Sequence, residues 1–598
     1  MLEAKGYVFH ACMKPCLCPS IVMKSQNDLR NTTECETNLM KTTVQKLKIN
    51  AGQRIIVVSD IHGHKDYLVQ LLKKADYSGD DVLVIVGDIV DKGPDSLRTL
   101  QYVMELSKKN QVYATIGNVD LHRVQFLTDT DEEADSRFCK YTHHLQQWWG
   151  GGLIQDMFRE LGIPLEKLTD ETASEYRALL REHFHEEIAY LQRLPVVLEM
   201  ERYIFVHGGL PTDDLEKVVG EEAEGFLKND CFMKKGHQFS KYMVVGHWPV
   251  CLYHDTKESL APIFSKNQNI ISIDGGCGVK RSGQLNALLL PGPDAAMEEI
   301  SWISYDEFPK VAAKECQESK AATIDIKYFS SKVELVEERG DSSLFRQEST
   351  GKIFTAPAEH IWTDSEGGLH CDDYCDTMLE VNPGDELSVI WKTSDGLFAK
   401  KDGELGWYRG VYEDMPDTLS LVCGKPDKVK YRWERELAVY DLLDKLGIEY
   451  QRIDHKEAKT MAVCEAIDEM LDAVICKNLF LRNQQKTKFY LLMMPGDKKF
   501  KTKELSKQIG SARLSFAEAE YMEKFLHIYP GSVSVMGLMN DKENQVQLLI
   551  DKDILDGETF GCHPCINTSS IRLKIKELLE IFLPAVGHEP MFVELKGE

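Results

Sequence analysis

The chain has 598 residues, 43% hydrophobic and 28% charged, which is more than one hydrophobic core organises and ordinary composition for several globular domains. Its 71 Lys and Arg against 96 Asp and Glu leave a formal charge of −25, which excludes a non-specific nucleic-acid coat and makes any RNA contact a local one. No run approaches about 18 uninterrupted apolar residues, so no membrane span and no membrane partner is expected; the 16 cysteines, scattered from Cys12 to Cys565, fit reduced thiols and a cytoplasmic setting.

Residues 1–50 read as a poorly ordered leader. They hold Cys12, Cys16, Cys18 and Cys35 at a spacing that matches no zinc pattern, and their start lacks the succession of a signal peptide. From residue 53, QRIIVVSD and DDVLVIVGD are short β-branched runs ending in carboxylates, with the helical pattern YLVQLLKKA between them. That is a βαβ beginning. Residues 121–200 are mostly helical in pattern, and RYIFVHGG, KYMVVGHWP and NIISIDGG are strands that stop at His or Gly. The polar run around 306–330 reads as a linker, and the short Gly- and Asp-punctuated strands of 331–425 predict a small β module that resembles an SH3-like fold. A helix over RELAVYDLLDKLG opens a final α+β unit over 426–598.

A dinuclear hydrolase needs oxygen and imidazole ligands delivered by several strand ends, one carboxylate bridging two ions. This chain offers them in order: Asp60 and His62 in SDIHGH, Asp88, Asp91 and Lys92 in GDIVDKGPDS, Asn118 and Asp120 in IGNVD, His207 in VHGG, and His247 in VVGHWP. Each motif alone is weak. Five at consecutive strand ends make a chance array of satisfied polar residues a poor account.

Over residues 51–305 these motifs, with the tail strand IISIDGGCGVKRSGQLNALLL, resemble the calcineurin-like metallophosphoesterases, in the bacterial phosphoprotein phosphatase branch. The resemblance implies a β-sandwich flanked by helices. It implies that Asp60, His62 and Asp88 bind one divalent ion and that Asp88, Asn118, His207 and His247 bind the other, with manganese first and iron or zinc as alternatives. It also places Asp91, Lys92 and Asp120 among the catalytic residues, and implies in-line attack by a water activated by the ions. Two departures bear on the substrate. Val119 stands where the branch carries a histidine that protonates the leaving group, which removes general-acid help worth about 10²- to 10⁴-fold and favours good leaving groups. Lys92 stands where the branch carries arginine, keeping the charge but losing the bidentate fork. Arg123, Arg202 and Lys280 are further candidate phosphate contacts, and QQWWGGGLIQD is a candidate rim segment.

The second constellation lies in the last unit, where CKNLFLRN, IGSARLSFA, YPGSVSVMGLMND and GCHPCINTSS set Gly- and Ser-rich loops between apolar strands. Such loops can turn backbone N–H groups toward an oxyanion. Together the segments resemble the bacterial prolyl-tRNA editing domain, an aminoacyl-tRNA deacylase fold. The resemblance implies catalytic roles for Lys477, Asn478, Gly561 and His563 and substrate binding by Gly510, Ser511, Gly531 and Ser532, with hydrolysis of alanine mischarged on proline tRNA. A run of cations from Arg482 to Lys507 is a candidate contact for a tRNA acceptor stem.

The reading is an α/β and α+β multidomain enzyme. It joins a serine/threonine-phosphatase-like metallophosphoesterase, acting on a phosphoprotein or nucleotide, to an aminoacyl-tRNA deacylase, with no DNA partner. A dinucleoside-polyphosphate hydrolase, a phosphodiesterase, and a non-catalytic regulator that senses phosphate and binds tRNA are its alternatives.

Overall fold

The computed structural model describes residues 40–254, 258–339, 342–357, 360–364, 367–415, 421–423, 434–455, 467, 470–471, 473, 476–496 and 498–597. Most of the leader, with its four cysteines, lies outside them. The chain divides into two compact units that part after residue 416, residues 160–162 being grouped with the second.

In the first unit, strands of Val, Ile and Leu buried on both faces take the parallel positions their composition demands. Strand β1 (Val44–Lys46) is followed by β2 (Ile55–Val58), helix α1 (Lys65–Lys74), β3 (Val82–Val86), α2 (Ser96–Lys109) and β4 (Gln111–Thr115). Helices α3 (Asn118–Thr128) and α4 (Ala134–Trp149) come next, then β5 (Val197–Glu199), β6 (Tyr203–Val206), β7 (Tyr242–Val245), β8 (Ile263–Ser265), β9 (Ile270–Ser272), β10 (Leu285–Leu290) and β11 (Ser301–Tyr305). Among the described residues, one sheet has the order β11-β10-β2-β3-β4 and the other β1-β5-β6-β7-β9-β8. Val57, Val84 and Leu288 from the first sheet and Phe205, Val244 and Ile271 from the second fill one core, so the two sheets bury their inner faces on each other. The carboxyl ends of β2, β3, β4, β6 and β7 carry the polar motifs.

The polar stretch 306–330 is not a free linker. Lys310–Ala313 is a strand, alternately buried, paired on one side with Glu386–Thr393 and on the other with Tyr412–Met415. Hydrogen bonding places it inside a five-stranded antiparallel sheet completed by Gly396–Lys401 and Glu404–Tyr408. Five other strands of 331–425 build a second sheet, Ile353–Pro357, Ser342–Gln347, Lys332–Glu337, Leu369–Cys371 and Ile361–Thr363 in spatial order, and Tyr374–Cys375 pairs separately with Asp325–Ile326. A single SH3-like module over 331–425 is therefore replaced by two sheets, one of them reaching back to residue 310. The sequence misleads here because a three- or four-residue strand such as KVAA is too short to show its period.

The second unit also starts before the expected boundary at 426, since Leu421–Cys423 pairs with Gln451–Asp454. Its helix Glu434–Leu446 packs Val439, Tyr440 and Leu443 into a core shared with Phe480, Leu491, Leu548 and Phe560. Strand Lys477–Asn483 lies between Phe489–Met494 and Leu514–Phe516 in a five-stranded sheet. No helix among the described residues is long and apolar enough to cross a membrane.

Candidate functional site

Tight turns at the strand ends bring the first constellation together. Asp60, His62, Asp88 and His247 have φ of 54°, 48°, 51° and 65°, and Asp91 and Lys92 have 65° and 62°. Left-handed backbone at non-glycine residues costs free energy, and its concentration here aims the side chains of Asp60, His62, Asp88, Lys92 and His247 beyond the sheet edge, while Asp91 turns to Arg123. Glycines complete the cradle: a Cβ on Gly117 would lie 2.1 Å from Asp88 Oδ1, one on Gly246 2.2 Å from Asp60 Oδ2, and one on Gly87 2.7 Å from His207 Nδ1.

His62 Nε2 lies 3.7 Å from both Asp60 Oδ1 and Asp88 Oδ2, and His207 Nε2 lies 3.4 Å from Asp88 Oδ2, so the Asp88 carboxylate sits between two imidazoles. Asn118 Oδ1 is 3.0 Å from His207 Nε2 and 2.9 Å from His247 Nδ1. The remote ring nitrogens are fixed as well. His207 Nδ1 donates to the Val86 carbonyl at 2.9 Å, and His247 Nε2 faces Asp230 Oδ1 at 2.8 Å, which leaves the other nitrogen of each ring directed inward. Ser59 Oγ donates to Asp60 Oδ2 at 2.5 Å and the Val119 N–H donates to Asp88 Oδ1 at 2.9 Å. Asp60 Oδ1 is buried with no hydrogen-bond partner. An orphaned carboxylate oxygen, a mixed set of oxygen and nitrogen donors and a glycine-lined cradle all fit divalent cations.

The electrostatics carry the same signature. Burial pushes Asp60 up, with Asp88 adding to it and His207 opposing, to about 6. Burial pulls the His207 imidazole down, but Asp88 and Asp60 outweigh it and push the ring up to about 10. Burial drives His62 well below its ordinary value, with Lys92 acting in the same direction.

Asp91 and Asp120 are held differently from expectation. Arg123 binds Asp91 and stacks 4.4 Å over the Tyr141 ring, and the Leu153 N–H donates to Asp91 Oδ1 at 2.7 Å. Asp120 accepts from the N–H groups of Ile89, Val90 and Gly117 at 3.0, 3.2 and 3.0 Å. Both carboxylates hold the Asp88 loop, and neither faces the cluster of ligand atoms. Lys92 does reach it, with Nζ 3.3 Å from His62 Nε2. Arg202 donates to the Asp294 carbonyl and Lys280 pairs with Asp373, which takes both away from the cluster. In the QQWWGGGLIQD segment, a Cβ on Gly152 would sit 2.4 Å from Asp91 Oδ1. The side chain of Trp148 lies outside the described residues.

In the second unit, Lys477 opens its strand and Nζ donates to the Lys498 carbonyl at 3.1 Å. The Cys476 N–H donates to the Gly561 carbonyl at 2.9 Å, which joins that strand end to Gly561. Asn478 Nδ2 donates to the Cys476 carbonyl, and its Oδ1 is buried without a partner. His563 Nδ1 is 3.0 Å from the Ser569 carbonyl and 3.3 Å from Ser570 Oγ, and Ser570 Oγ is 2.9 Å from His455 Nε2. Burial lowers His563, consistent with a neutral ring. A Cβ on Gly531 would lie 3.6 Å from Asn567 Nδ2, and the buried Ser532 follows it. Gly510 and Ser511 are not with this group. They precede Leu514, which pairs with Asn483 at the far end of the strand that Lys477 begins, about 20 Å along at ~3.3 Å per residue. Among the cations, Arg482 and Lys486 both bind Glu518 and Lys498 bridges Asp551 and Asp553, so three are neutralised locally.

Sequence reasoning missed Asp230, which orients His247, and the pair His455 and Ser570 beside His563. Asp230 sits in an irregular stretch with no period to mark it; the HPCINTSS loop signals Ser570 but not its partner His455.

Comparison with known proteins adds two families. Residues 53–272 match the calcineurin-like phosphoesterase family and residues 455–581 the aminoacyl-tRNA editing domain. The prolyl-tRNA editing protein ProX of Acetoanaerobium sticklandii is 35% identical over 159 residues, which cover 26% of this chain and 96% of that protein. The prolyl-tRNA synthetase associated domain-containing protein 1 of Danio rerio is 28% identical, covering 26% of this chain and 83% of its own length. A symmetrical bis(5'-nucleosyl)-tetraphosphatase of Vibrio parahaemolyticus is 28% identical over 186 residues, 29% of this chain and about half, 55%, of that protein.

Proposed function

Because the chain belongs to the prolyl-tRNA editing family through its second unit and joins to it a calcineurin-like phosphoesterase, a hydrolase on both counts, we propose that the first unit hydrolyses a phosphoanhydride of the dinucleoside-polyphosphate type and the second deacylates mischarged tRNA. The carrying observation is Val119. Its N–H donates to Asp88, and its side chain has no proton to give, in the motif position where the resembled phosphatases carry the histidine that protonates a leaving alkoxide. A nucleotide leaves an anhydride as a stable anion and needs no such proton; a serine alkoxide does.

Asp60, His62 and Asp88 would hold one divalent ion, and Asp88, Asn118, His207 and His247 a second, manganese being the first candidate. When bound, such ions polarise the phosphoryl group and lower the pKa of the attacking water. Asp230 and the Val86 carbonyl orient the imidazoles, Asp91 and Asp120 fix the loop that carries Asp88, and Lys92 brings a point charge to phosphoryl oxygens.

In the second unit an aminoacyl ester is already reactive, so positioning and oxyanion stabilisation suffice. Lys477 anchors the aminoacyl end or the terminal phosphate, and Asn478 Oδ1, Ser532 and the backbone following Gly561 line the ester. His563, neutral and bound to Ser569 and Ser570, shapes the pocket. Alanyl-tRNA(Pro) is the proposed substrate.

A panel with added manganese tests both halves: diadenosine tetraphosphate, phosphopeptides, an aryl phosphodiester and alanyl-tRNA(Pro). Diadenosine tetraphosphate is expected to exceed the phosphopeptides in kcat/KM by 10²-fold or so, the lower end of general-acid help. Phosphopeptide turnover equal to or above it would establish the serine/threonine phosphatase reading instead.

A further inference from the structure

A second group of buried donors lies in the first unit, apart from the residues used above. Cys251, in the turn Val250–Tyr253, Glu258 and Asp373 each bring a ligand atom, one thiol sulfur and two carboxylate oxygens, within 4.8 Å of one another. Cys251 is fully buried and Glu258 is 3% exposed. Neither Glu258 oxygen has a hydrogen-bond partner among the described residues, although both are shielded from solvent. A carboxylate directed into a protein interior without donors is costly, and its partners here are two further anionic or ionisable ligands.

Two lysines lie nearby and differ in how they are engaged. Lys327 pairs with Asp325 at 3.1 Å and reaches the His254 carbonyl. Lys280 pairs with Asp373. Burial holds the Cys251 thiol and the Glu258 carboxyl well above their ordinary values; with both deprotonated they and Asp373 would carry three negative charges against one positive charge on Lys280, and a dication would make the group neutral.

We propose that Cys251, Glu258 and Asp373 form a separate structural site for a zinc-like divalent cation. One thiolate among carboxylates selects a borderline-soft ion over magnesium or calcium. Binding forms one metal–sulfur and two metal–oxygen bonds, displaces water from the ion and releases to solvent the protons of Cys251 and Glu258, with no change of oxidation state. The site ties the turn that follows the His247 strand end to the Asp373 loop, two stretches 122 residues apart in sequence.

The test loads the full chain with zinc, dialyses it and counts metal per chain, then repeats the loading with cobalt to read thiolate-to-cobalt charge transfer in the near ultraviolet. Cys251→Ser and Glu258→Gln should each hold one equivalent less than the unmodified protein, and Cys251→Ser should lose a charge-transfer band, while hydrolysis by manganese-loaded enzyme is unchanged. An Asp88→Asn chain, stripped of the proposed dinuclear pair, should keep the band, so failure of that reading and of this one give different results. Equal metal content and an equal cobalt spectrum across the unmodified protein and both variants would overturn the site. Should Cys251→Ser fail to fold, the metal count of Glu258→Gln decides.

Discussion

The two candidate sites solve opposite problems with opposite materials. Around Asp88 the chain crowds buried carboxylates and imidazoles and accepts left-handed backbone at six non-glycine residues to aim them. Around His563 it uses less of both: burial lowers the ring, the buried Glu436 is reached only through Tyr440 and Ser569, Lys477 stays at an exposed strand end, and left-handed backbone is taken by Gly531 and by one non-glycine residue, Cys565. A phosphoryl group repels nucleophiles and demands a strong, preorganised positive field, which only ligands held at close quarters can support. An aminoacyl ester needs to be held still and offered hydrogen bonds. The cost in strain and desolvation follows the difficulty of the bond being broken.

If the contrast is right, the sites fail independently. Asp88→Asn removes the carboxylate between His62 and His207 and should lower diadenosine tetraphosphate hydrolysis by about 10²- to 10³-fold, measured as kcat, with deacylation of alanyl-tRNA(Pro) unchanged. Parallel losses in both assays would break the comparison. Lys477→Ala is the converse, with deacylation down by about 10²-fold and phosphoanhydride hydrolysis unaffected; retained deacylation would remove Lys477 from the mechanism. Asp230→Asn sharpens the claim that side-chain orientation matters in the first site, because His247 loses its charged partner. Manganese affinity, read by competition with a chelator, should weaken by about 10-fold. No weakening would mean that Asn118 alone fixes the ring.

The smallest effect concerns the second unit's surface. The hydrogen bond from Arg482 holds Glu518 at about 2 against the opposing effect of burial, with Lys486 adding to it. A carboxylate lowered on folding contributes stability that is present above its unfolded value and is lost as pH falls. For Glu518 that window runs from about 4.3 down to about 2. The contribution is about 0.5 kcal/mol after solvent screening, since the side chain is 40% exposed. Urea midpoints of the unmodified protein and Glu518→Gln should therefore differ at pH 6, and the difference should shrink as pH falls below about 4 and vanish only below about 2; a constant difference would mean the pair is not formed.

The first cluster was legible because Asp60, His62, Asp88, Asn118, His207 and His247 each follow a strand inside a local motif, and five such motifs in order, with the family resemblance, marked them as candidate ligands. Their supports were less so. Asp91 and Asp120 are motif residues whose carboxylates turn to backbone N–H groups and to Arg123, and nothing in a linear string says which way a side chain faces. Asp230 is 17 residues from His247 and meets it only because an irregular segment folds back. In the second unit, Cys476 ties the Lys477 strand end to Gly561, and Gly531 lies against Asn567 in the loop that follows His563, whereas Gly510 and Ser511 fall toward the far end of that strand. Loop chemistry identifies a turn, and strand register decides at which end of the sheet that turn falls.

The strand Lys310–Ala313 moves the seam of this fusion. A protease nick or gene truncation after residue 330, at the end of the expected linker, would strip a central strand from the sheet of 386–415, unpair two edges at once and part Asp306 and Lys310 from Lys400, which now pairs with Asp306. Separate recombinant halves intended for assay should be divided beyond residue 416, where the polypeptide changes from one folded body to the other.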